Sequence, residues 1–263
     1  MIDEAFRARW VERLRTEIHG ALAVILKGSH VRGNDGPFSD VDFDVLVDDT
    51  EIEDPYPVWM VEHDGRLVHV SVAVERLNDW LAGFKEEASW SFGFPSREVT
   101  RLLWVARQSL AAELDRPWRE HPAAEPELED FIEELGKARN AAARGDELPM
   151  RLAVQEIAEL APTLLAPLNE PRFPCTRPEA IAMALDLETV PDCYREDMLD
   201  CLGLSGRAMT ADETLAAGER LVMGTLALVE ANVEVFEPLV KPRLLGLVRD
   251  GTMRRYLEQG IPS

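Results

Sequence analysis

GSHVRGNDGPFSDVDFD, residues 28–44, is the stretch that decides the fold. An apolar run at residues 21–26 leads into its Gly-Ser turn, and a glycine-rich loop follows. Asp40, Asp42 and Asp44 then alternate with apolar residues, which is the period of a β-strand, so the three carboxylates share one face. Carboxylates this close resist ionisation unless a cation lies among them, and hard oxygen ligands suit Mg²⁺ carrying a nucleotide phosphate. The alternative is an acidic edge strand after a solvated loop.

The spacing within this stretch is itself informative. Gly28-Ser29 is followed after ten residues by Asp40-x-Asp42, and the small residues of the turn allow close backbone approach by a phosphate. This arrangement resembles the signature of the DNA polymerase β-like nucleotidyltransferase superfamily.

Composition narrows the class of protein. The 263 residues are 46% hydrophobic, which permits two domains with cores of their own, and the formal net charge is -21. So acidic a chain does not present the clustered Lys and Arg that bind nucleic acid. The field would attract a cationic small molecule, although acidity also serves plain solubility. Three cysteines fit a reducing cytoplasm, and neither a signal peptide nor an apolar run of membrane-spanning length is recognisable.

Periodicity along the chain predicts an α+β protein with two domains, residues 1–118 and 119–263. The first domain is predicted to contain a helix over residues 3–18, several β-strands and a hairpin turning at Asp64-Gly65. Helical patterns follow at 77–84 and 96–114, and a proline-rich linker spans 117–126. The second domain is predicted to be a helical bundle, with helices over residues 127–143, 150–165, 179–187, 194–202 and 211–236.

Further residues resemble one branch of the superfamily, kanamycin nucleotidyltransferase, whose members adenylylate aminoglycoside antibiotics. The similarity covers both predicted domains and includes Gly28-Ser29, Arg32, Asp35-Gly36-Pro37, Ser39-Asp40, Asp42, Val68-His69-Val70, and Glu133 through Lys137-Ala138-Arg139-Asn140. The resemblance implies a nucleotidyltransferase domain with a mixed β-sheet, followed by a helical bundle, and a homodimer whose active sites are shared between subunits.

The resemblance also implies catalytic roles. Asp40 and Asp42 would hold Mg²⁺ against the phosphates of ATP or another NTP, and Glu133 would accept the proton of the attacking hydroxyl. Glu133 and Lys137 are four residues apart and therefore lie on one helical face. Read without the resemblance, they are a surface ion pair.

Phosphate binding is assigned in the same way. Gly28 and Ser29 would bind terminal phosphate oxygens, with Arg32 and Lys137 adding positive charge as pyrophosphate forms. Arg32 has an alternative as an exposed loop arginine. The alternative for Asp44 is a carboxylate that faces solvent at the end of the strand.

One position departs from the family. A third carboxylate is expected on the hairpin strand, where this chain has His69. A neutral imidazole ligates Mn²⁺ or Zn²⁺ but is a poor ligand for Mg²⁺. The departure leaves a site with fewer ligands, a different metal preference or a lapsed enzyme, and His69 is equally well explained as a structural histidine.

The functional prediction is a cytoplasmic, Mg²⁺-dependent nucleotidyltransferase, with Mn²⁺ as the alternative ion. It would move AMP or another NMP onto a hydroxyl of a small cationic acceptor such as an aminoglycoside. The alternative is a lapsed nucleotide- or protein-binding module of regulatory or antitoxin-like type. Aromatic residues that suggest a dimer interface, but are equally compatible with a core, are Trp90, Phe92, Phe94 and Trp104.

Overall fold

The computed structural model describes residues 2–48, 51–85 and 92–259. The chain divides into two compact units. We call Met1–Glu86 with Arg97–Pro122 the sheet unit, and Glu87–Ser96 with Ala123–Ser263 the helical unit.

Among its described residues, the sheet unit contains a six-stranded sheet and four α-helices. Its elements are α1 (Glu4–Glu17), β1 (Ala21–Lys27), α2 (Ser29–Arg32), β2 (Val41–Val47), β3 (Val58–His63), β4 (Arg66–Arg76), α3 (Leu77–Ala82), β5 (Arg97–Val105), α4 (Gln108–Leu114) and β6 (Trp118–Glu120). The strand order is β3-β4-β2-β1-β5-β6. Strands β2 and β4 run parallel and the other neighbours run antiparallel, which confirms the predicted mixed sheet.

Helix α1 covers one face of the sheet. The Asp3 side chain caps it by accepting a hydrogen bond from the backbone N–H of Phe6 at 2.7 Å. Phe6, Trp10 and Leu14 are buried on one side of the helix, as their four-residue spacing predicts. They pack on apolar side chains that β1, β2 and β4 direct to that face. The alternate positions of the strands therefore face away from α1.

The predicted hairpin is also present. Asp64 has φ 50° and Gly65 has φ 72°, as a tight two-residue turn between antiparallel strands requires. The turn sets the register in which Val68, Val70, Val72 and Val74 are buried beneath α1, while His69 and Ser71 lie on the other face.

The helix predicted over residues 96–114 is wrong in its first half. Arg97–Val105 is strand β5, and only Gln108–Leu114 is helical. Pairing with β1 decides this, because the second edge of that buried strand would otherwise leave its backbone groups without partners. Residues 118–120, within the predicted linker, add a sixth strand next to β5.

The helical unit consists of α5 (Leu128–Ala143), α6 (Glu147–Leu165), α7 (Arg177–Ala184), α8 (Tyr194–Cys201), α9 (Ala211–Ala231), α10 (Val233–Phe236), α11 (Pro242–Arg249) and α12 (Thr252–Glu258). The predicted helical C-terminal region is confirmed, and α11 and α12 were not predicted. Thr210 and Glu213 form a reciprocal capping box at the start of α9.

No helix within the described ranges has the length and apolar content that a membrane span requires.

Residues 92–96 belong to the helical unit although they precede β5 in the chain. Phe92 and Phe94 are buried in its core, so they are core residues and not interface residues, whereas Trp104 is partly buried against the apolar cluster under α1. Trp90 lies outside the described residues. The two units therefore differ from the predicted domains, which meet at residues 118/119, in two places. Residues 92–96 lie with the helical unit, and residues 119–122 lie with the sheet unit.

Gly93 offers a test of this anchoring. It has φ +64°, and a Cβ placed on it would lie 2.7 Å from the Cα of Thr163 in α6. We expect Gly93→Ala to lower the free energy of unfolding by about 1–3 kcal/mol more than Gly203→Ala, because only the first forces two backbones apart. Gly203 is a matched control, with φ +70° and no atom within 4 Å of its Cβ position. Urea unfolding of the two variants measures the difference, and equal losses would contradict the anchoring.

Candidate active site

A row of side chains crosses the sheet on the face that α1 leaves open. In the pairing register, Val58 of β3 stands opposite Ser71 of β4, Ser71 opposite Asp42 of β2, Asp42 opposite Lys27 of β1, and Lys27 opposite Thr100 of β5. Side chains of directly paired residues point to the same side of a sheet. The aspartate strand and the polar side of the hairpin therefore meet on one face, as predicted.

Gly28 and Asp42 are in close contact. A Cβ on Gly28 would lie 2.5 Å from Oδ2 of Asp42, and Gly28 has φ +75°, a conformation that disfavours side chains. The absent side chain thus gives room to a carboxylate, which lies against the backbone where α2 begins. Any ion on this carboxylate would also be next to the Gly28-Ser29 turn.

The Asp42 carboxyl holds its proton more tightly than a free aspartic acid. Burial, and then the negative charge of Asp40, raise the pKa of Asp42 to about 6, against the opposing charge of Lys27. Asp44 raises this pKa further and His69 lowers it. A bound cation would favour the ionised form, so cation binding at Asp42 is expected to weaken as the pH falls through about 6.

Asp40 and His69 lie at the rim of the same face. Oδ2 of Asp40 is 3.8 Å from Nδ1 of His69, and both side chains are partly exposed. Within the described residues no three or more His, Cys, Asp or Glu side chains are arranged to hold a metal ion. Ser71, directly opposite Asp42, is uncharged. The candidate ligands for a cation at this place are therefore the carboxylates of Asp40 and Asp42, with the imidazole of His69 beside Asp40.

Asp44 does not face solvent, so that alternative is wrong. It has no exposed surface, its Oδ1 lies 2.6 Å from Nζ of Lys27, and its Oδ2 accepts a hydrogen bond from Nε1 of Trp80 at 3.1 Å. Burial alone would lower the pKa of Lys27, but the charges of Asp44 and then Glu98 raise it above the usual value. Sequence reasoning missed Lys27, whose signal was a lone lysine ending an apolar strand directly before Gly28.

Two side-chain contacts hold the loop between the Gly28-Ser29 turn and strand β2. Nδ1 of His30 lies 3.3 Å from Oδ2 of Asp35, with both side chains almost fully buried. Burial lowers the pKa of His30 despite Asp35, so the imidazole is neutral at pH 7. Arg66 of β4 donates a hydrogen bond to the carbonyl of Pro37 at 3.1 Å. Arg32 has a buried Nε without a hydrogen-bond partner among the described residues.

The other predicted site residues lie on α5 of the helical unit. Nζ of Lys137 is 3.2 Å from Glu133 and 2.6 Å from Glu134, and hydrogen bonds to Glu134 and then Glu133 raise the pKa of this lysine. The surface ion pair named as the alternative for Glu133 and Lys137 is thus present. Because Asp40 and Asp42 belong to the sheet unit, the site shared between the two sets stays a prediction.

A groove of about 530 Å³ runs between α5 and α6. Its lining combines polar and apolar residues: Glu134, Lys137, Asn140, Ala141, Arg144, Pro149, Leu152, Ala153 and Glu156. Burial and then Glu159 and Glu134 raise the pKa of Glu156. This groove places two of the residues that match the family's helix, Lys137 and Asn140, at a surface that could hold a small molecule.

Arg139, from the same helix, has a structural role. Its Nε donates to Glu219 of α9 at 2.8 Å, and its Nη1 donates to the carbonyl of Leu257 in α12 at 2.6 Å. The Lys-x-Arg-Asn pattern therefore combines groove residues with a residue that fastens the last helix.

Comparison with known proteins bears on this unit. Residues 127–231, which span α5 to α9, match a family described as the substrate-binding domain of nucleotidyltransferases. Over these residues the chain is similar to that family. A nucleotidyltransferase-like protein from Exiguobacterium sibiricum, solved by crystallography, is 14% identical and aligns over 97% of this chain and 95% of its own, with a TM-score of 0.44. No curated protein matches the chain significantly.

Gly28 can be tested directly. We expect Gly28→Ala to displace the Asp42 carboxylate and to weaken Mn²⁺ binding by about tenfold or more, the typical effect of disturbing a metal ligand's surroundings. Gly33→Ala is the matched control, because Gly33 has φ +74° and open space at its Cβ position. Calorimetric titration with Mn²⁺ measures both, and equal affinities in the two variants would mean that the contact with Asp42 is irrelevant to the ion.

Proposed function

We propose that the protein is a metal-dependent nucleotidyltransferase that transfers AMP, or another NMP, from an NTP to a hydroxyl of a small cationic acceptor such as an aminoglycoside. The observation that carries the proposal is the Asp42 carboxylate lying against the Gly28 backbone at the start of α2. In this contact the predicted ion ligand, Asp42, lies next to the turn that is predicted to bind phosphate. The family match over residues 127–231 supports the same reading.

Asp40 and Asp42 fit a divalent cation in charge and in chemistry. Burial and the negative charge of Asp40 make ionisation of Asp42 harder, so a cation beside Asp42 would favour its ionised form. With two protein carboxylates, the other ligands would be triphosphate oxygens and water, as is common for Mg²⁺. His69 beside Asp40 favours Mn²⁺ over Mg²⁺ if the imidazole reaches the ion. When bound, the ion supplies positive charge that offsets the charge of the phosphates.

Each of the remaining predicted site residues has one proposed role in the reaction. Backbone N–H groups at Gly28 and Ser29 would bind terminal phosphate oxygens, and Arg32 would add charge there. The acceptor oxygen forms a bond to the α-phosphorus while the bond to the bridging oxygen breaks, and pyrophosphate leaves. Glu133 takes the hydroxyl proton, and Lys137 faces the growing negative charge.

The groove between α5 and α6 is proposed to bind the acceptor. Glu156 supplies a carboxylate for amino groups, since Glu134 is paired with Lys137, while Pro149 and Leu152 supply apolar contact for the body of the molecule. The net charge of -21 attracts a cation from a distance. The matching family is described as substrate-binding over this part of the chain.

The second candidate is a module that has kept the fold and lost the chemistry. It is favoured by His69 and Ser71, which leave the hairpin strand without a carboxylate next to Asp40 and Asp42. Such a module would bind a nucleotide or a protein in a regulatory or antitoxin-like role. Binding of nucleotide without turnover separates it from the enzyme.

Pyrophosphate release tests the function. Nucleoside triphosphates are supplied with a panel of aminoglycosides and with Mg²⁺ or Mn²⁺. We expect turnover for at least one combination, and Asp40→Asn/Asp42→Asn should abolish both turnover and metal-dependent ATP binding, because the face loses the charges that hold the ion. Asp79→Asn is the control, an exposed carboxylate of the same unit. Unchanged MgATP affinity in the double variant would refute the assignment, and binding without turnover in the wild type would favour the second candidate.

The proposed homodimer leads to a complementation test. If Glu133 of one chain serves the nucleotide held by Asp40 and Asp42 of the other, a two-fold dimer has two composite sites. Mixing Asp42→Asn chains with Glu133→Gln chains should then restore about a quarter of wild-type activity, since half of the exchanged dimers carry one intact site. Each variant mixed with itself is the control. Verified heterodimers without recovery would place Glu133 in its own chain's site or outside catalysis.

A further inference from the structure

Lys27 has two carboxylates within reach on β2. In the register it stands directly opposite Asp42, and Asp44 is the diagonal neighbour on the same face. The ammonium lies 2.6 Å from Oδ1 of Asp44 and 3.7 Å from Glu98 of β5. The side chain has therefore turned toward the interior carboxylate.

The position of Asp44 is itself fixed by the residues behind it. Trp80 is buried and donates its Nε1 hydrogen bond to Asp44. The guanidinium of Arg119 lies 4.5 Å from the Trp80 ring centroid, and its Nη2 donates to the carbonyl of Trp80 at 3.2 Å. Asp44 is thus held in place on the side away from the ion site, with one oxygen left for Lys27.

We propose that Asp44 is a positioning residue that holds the Lys27 ammonium away from Asp42 and so leaves Asp42 free for the divalent ion. Without the charge of Asp44, the ammonium would turn to the carboxylate directly opposite it and compete with the ion. Asp44 is not an ion ligand, because it is fully buried and both its oxygens are engaged. This inference rests on the proposed function, since it assigns the ion to Asp40 and Asp42.

Asp44→Asn is the primary test, with Mn²⁺ alone as the probe in calorimetric titration of the full chain. The amide can still accept from Trp80 but has lost the charge that holds Lys27. We expect the dissociation constant for Mn²⁺ to rise about 10–100-fold, the range found for residues that orient metal ligands. Asp79→Asn, which removes an exposed carboxylate of the same unit, should leave the constant unchanged.

A second variant separates positioning from a merely structural role. In Lys27→Met/Asp44→Asn the competing ammonium is also gone and no buried charge is left unpaired, so Mn²⁺ affinity should return toward the wild-type value. Removing Lys27 also relieves the unpaired buried charge, so the Mn²⁺ affinities are compared well below the unfolding midpoint of each variant, where a merely destabilised chain is still folded and binds the ion normally. Thermal unfolding checks that both variants are folded.

The outcomes are distinct. Weaker binding in Asp44→Asn together with recovery in the double variant supports the inference. Unchanged affinity in Asp44→Asn, or a double variant as weak as the single one, overturns it and leaves the proposed function standing. If the wild type itself binds Mn²⁺ neither alone nor with a non-hydrolysable ATP analogue, the proposed function fails and the inference fails with it.

Discussion

The buried ion pair between Asp44 and Lys27 is the constraint on which the open face of the sheet depends. A carboxylate without exposed surface is tolerated only if it is paired and hydrogen-bonded, because losing one partner leaves an uncompensated charge at a cost of about 3–5 kcal/mol. Lys27 and Trp80 meet that requirement together. Of the three alternating aspartates, the pair takes up Asp44 and leaves Asp40 and Asp42 with exposed surface.

The two faces of the sheet differ in the side chains that they carry. Under α1 the alternate strand positions are apolar and form a continuous core. On the other face a small apolar cluster around Ile25, Leu46 and Trp80 lies beside the charged residues, and Arg119 bridges toward Glu98 from the last strand at 3.5 Å. The edge strand β6 and helix α3 therefore serve the face that carries the candidate site, although neither contributes a predicted site residue.

Local patterns in the sequence were sufficient for much of the fold. The four-residue spacing in α1, the alternation in β2 and β4 and the Asp64-Gly65 turn are short-range signals, each read within about a dozen residues. The strand with Asp42 and Asp44 and the strand with Val68 to Val74 were predicted where they are observed, and the valines lie on the buried face as predicted. Glu133 and Lys137 were correctly placed on one helical face, and their ion pair is observed.

Sequence by itself thus determined the sheet-containing first part and the helical second part of the chain, the glycine turn, and the strand that begins after Asp40 and carries Asp42 and Asp44. Only the tertiary structure decided that Arg97–Val105 is a strand, because its partner β1 lies about seventy residues earlier and pairing at that range has no local signature. It also decided that Asp44 is buried and that Lys27 turns toward it. Such choices depend on which backbones and charges meet after folding, and burial then makes an unpaired group too costly to leave.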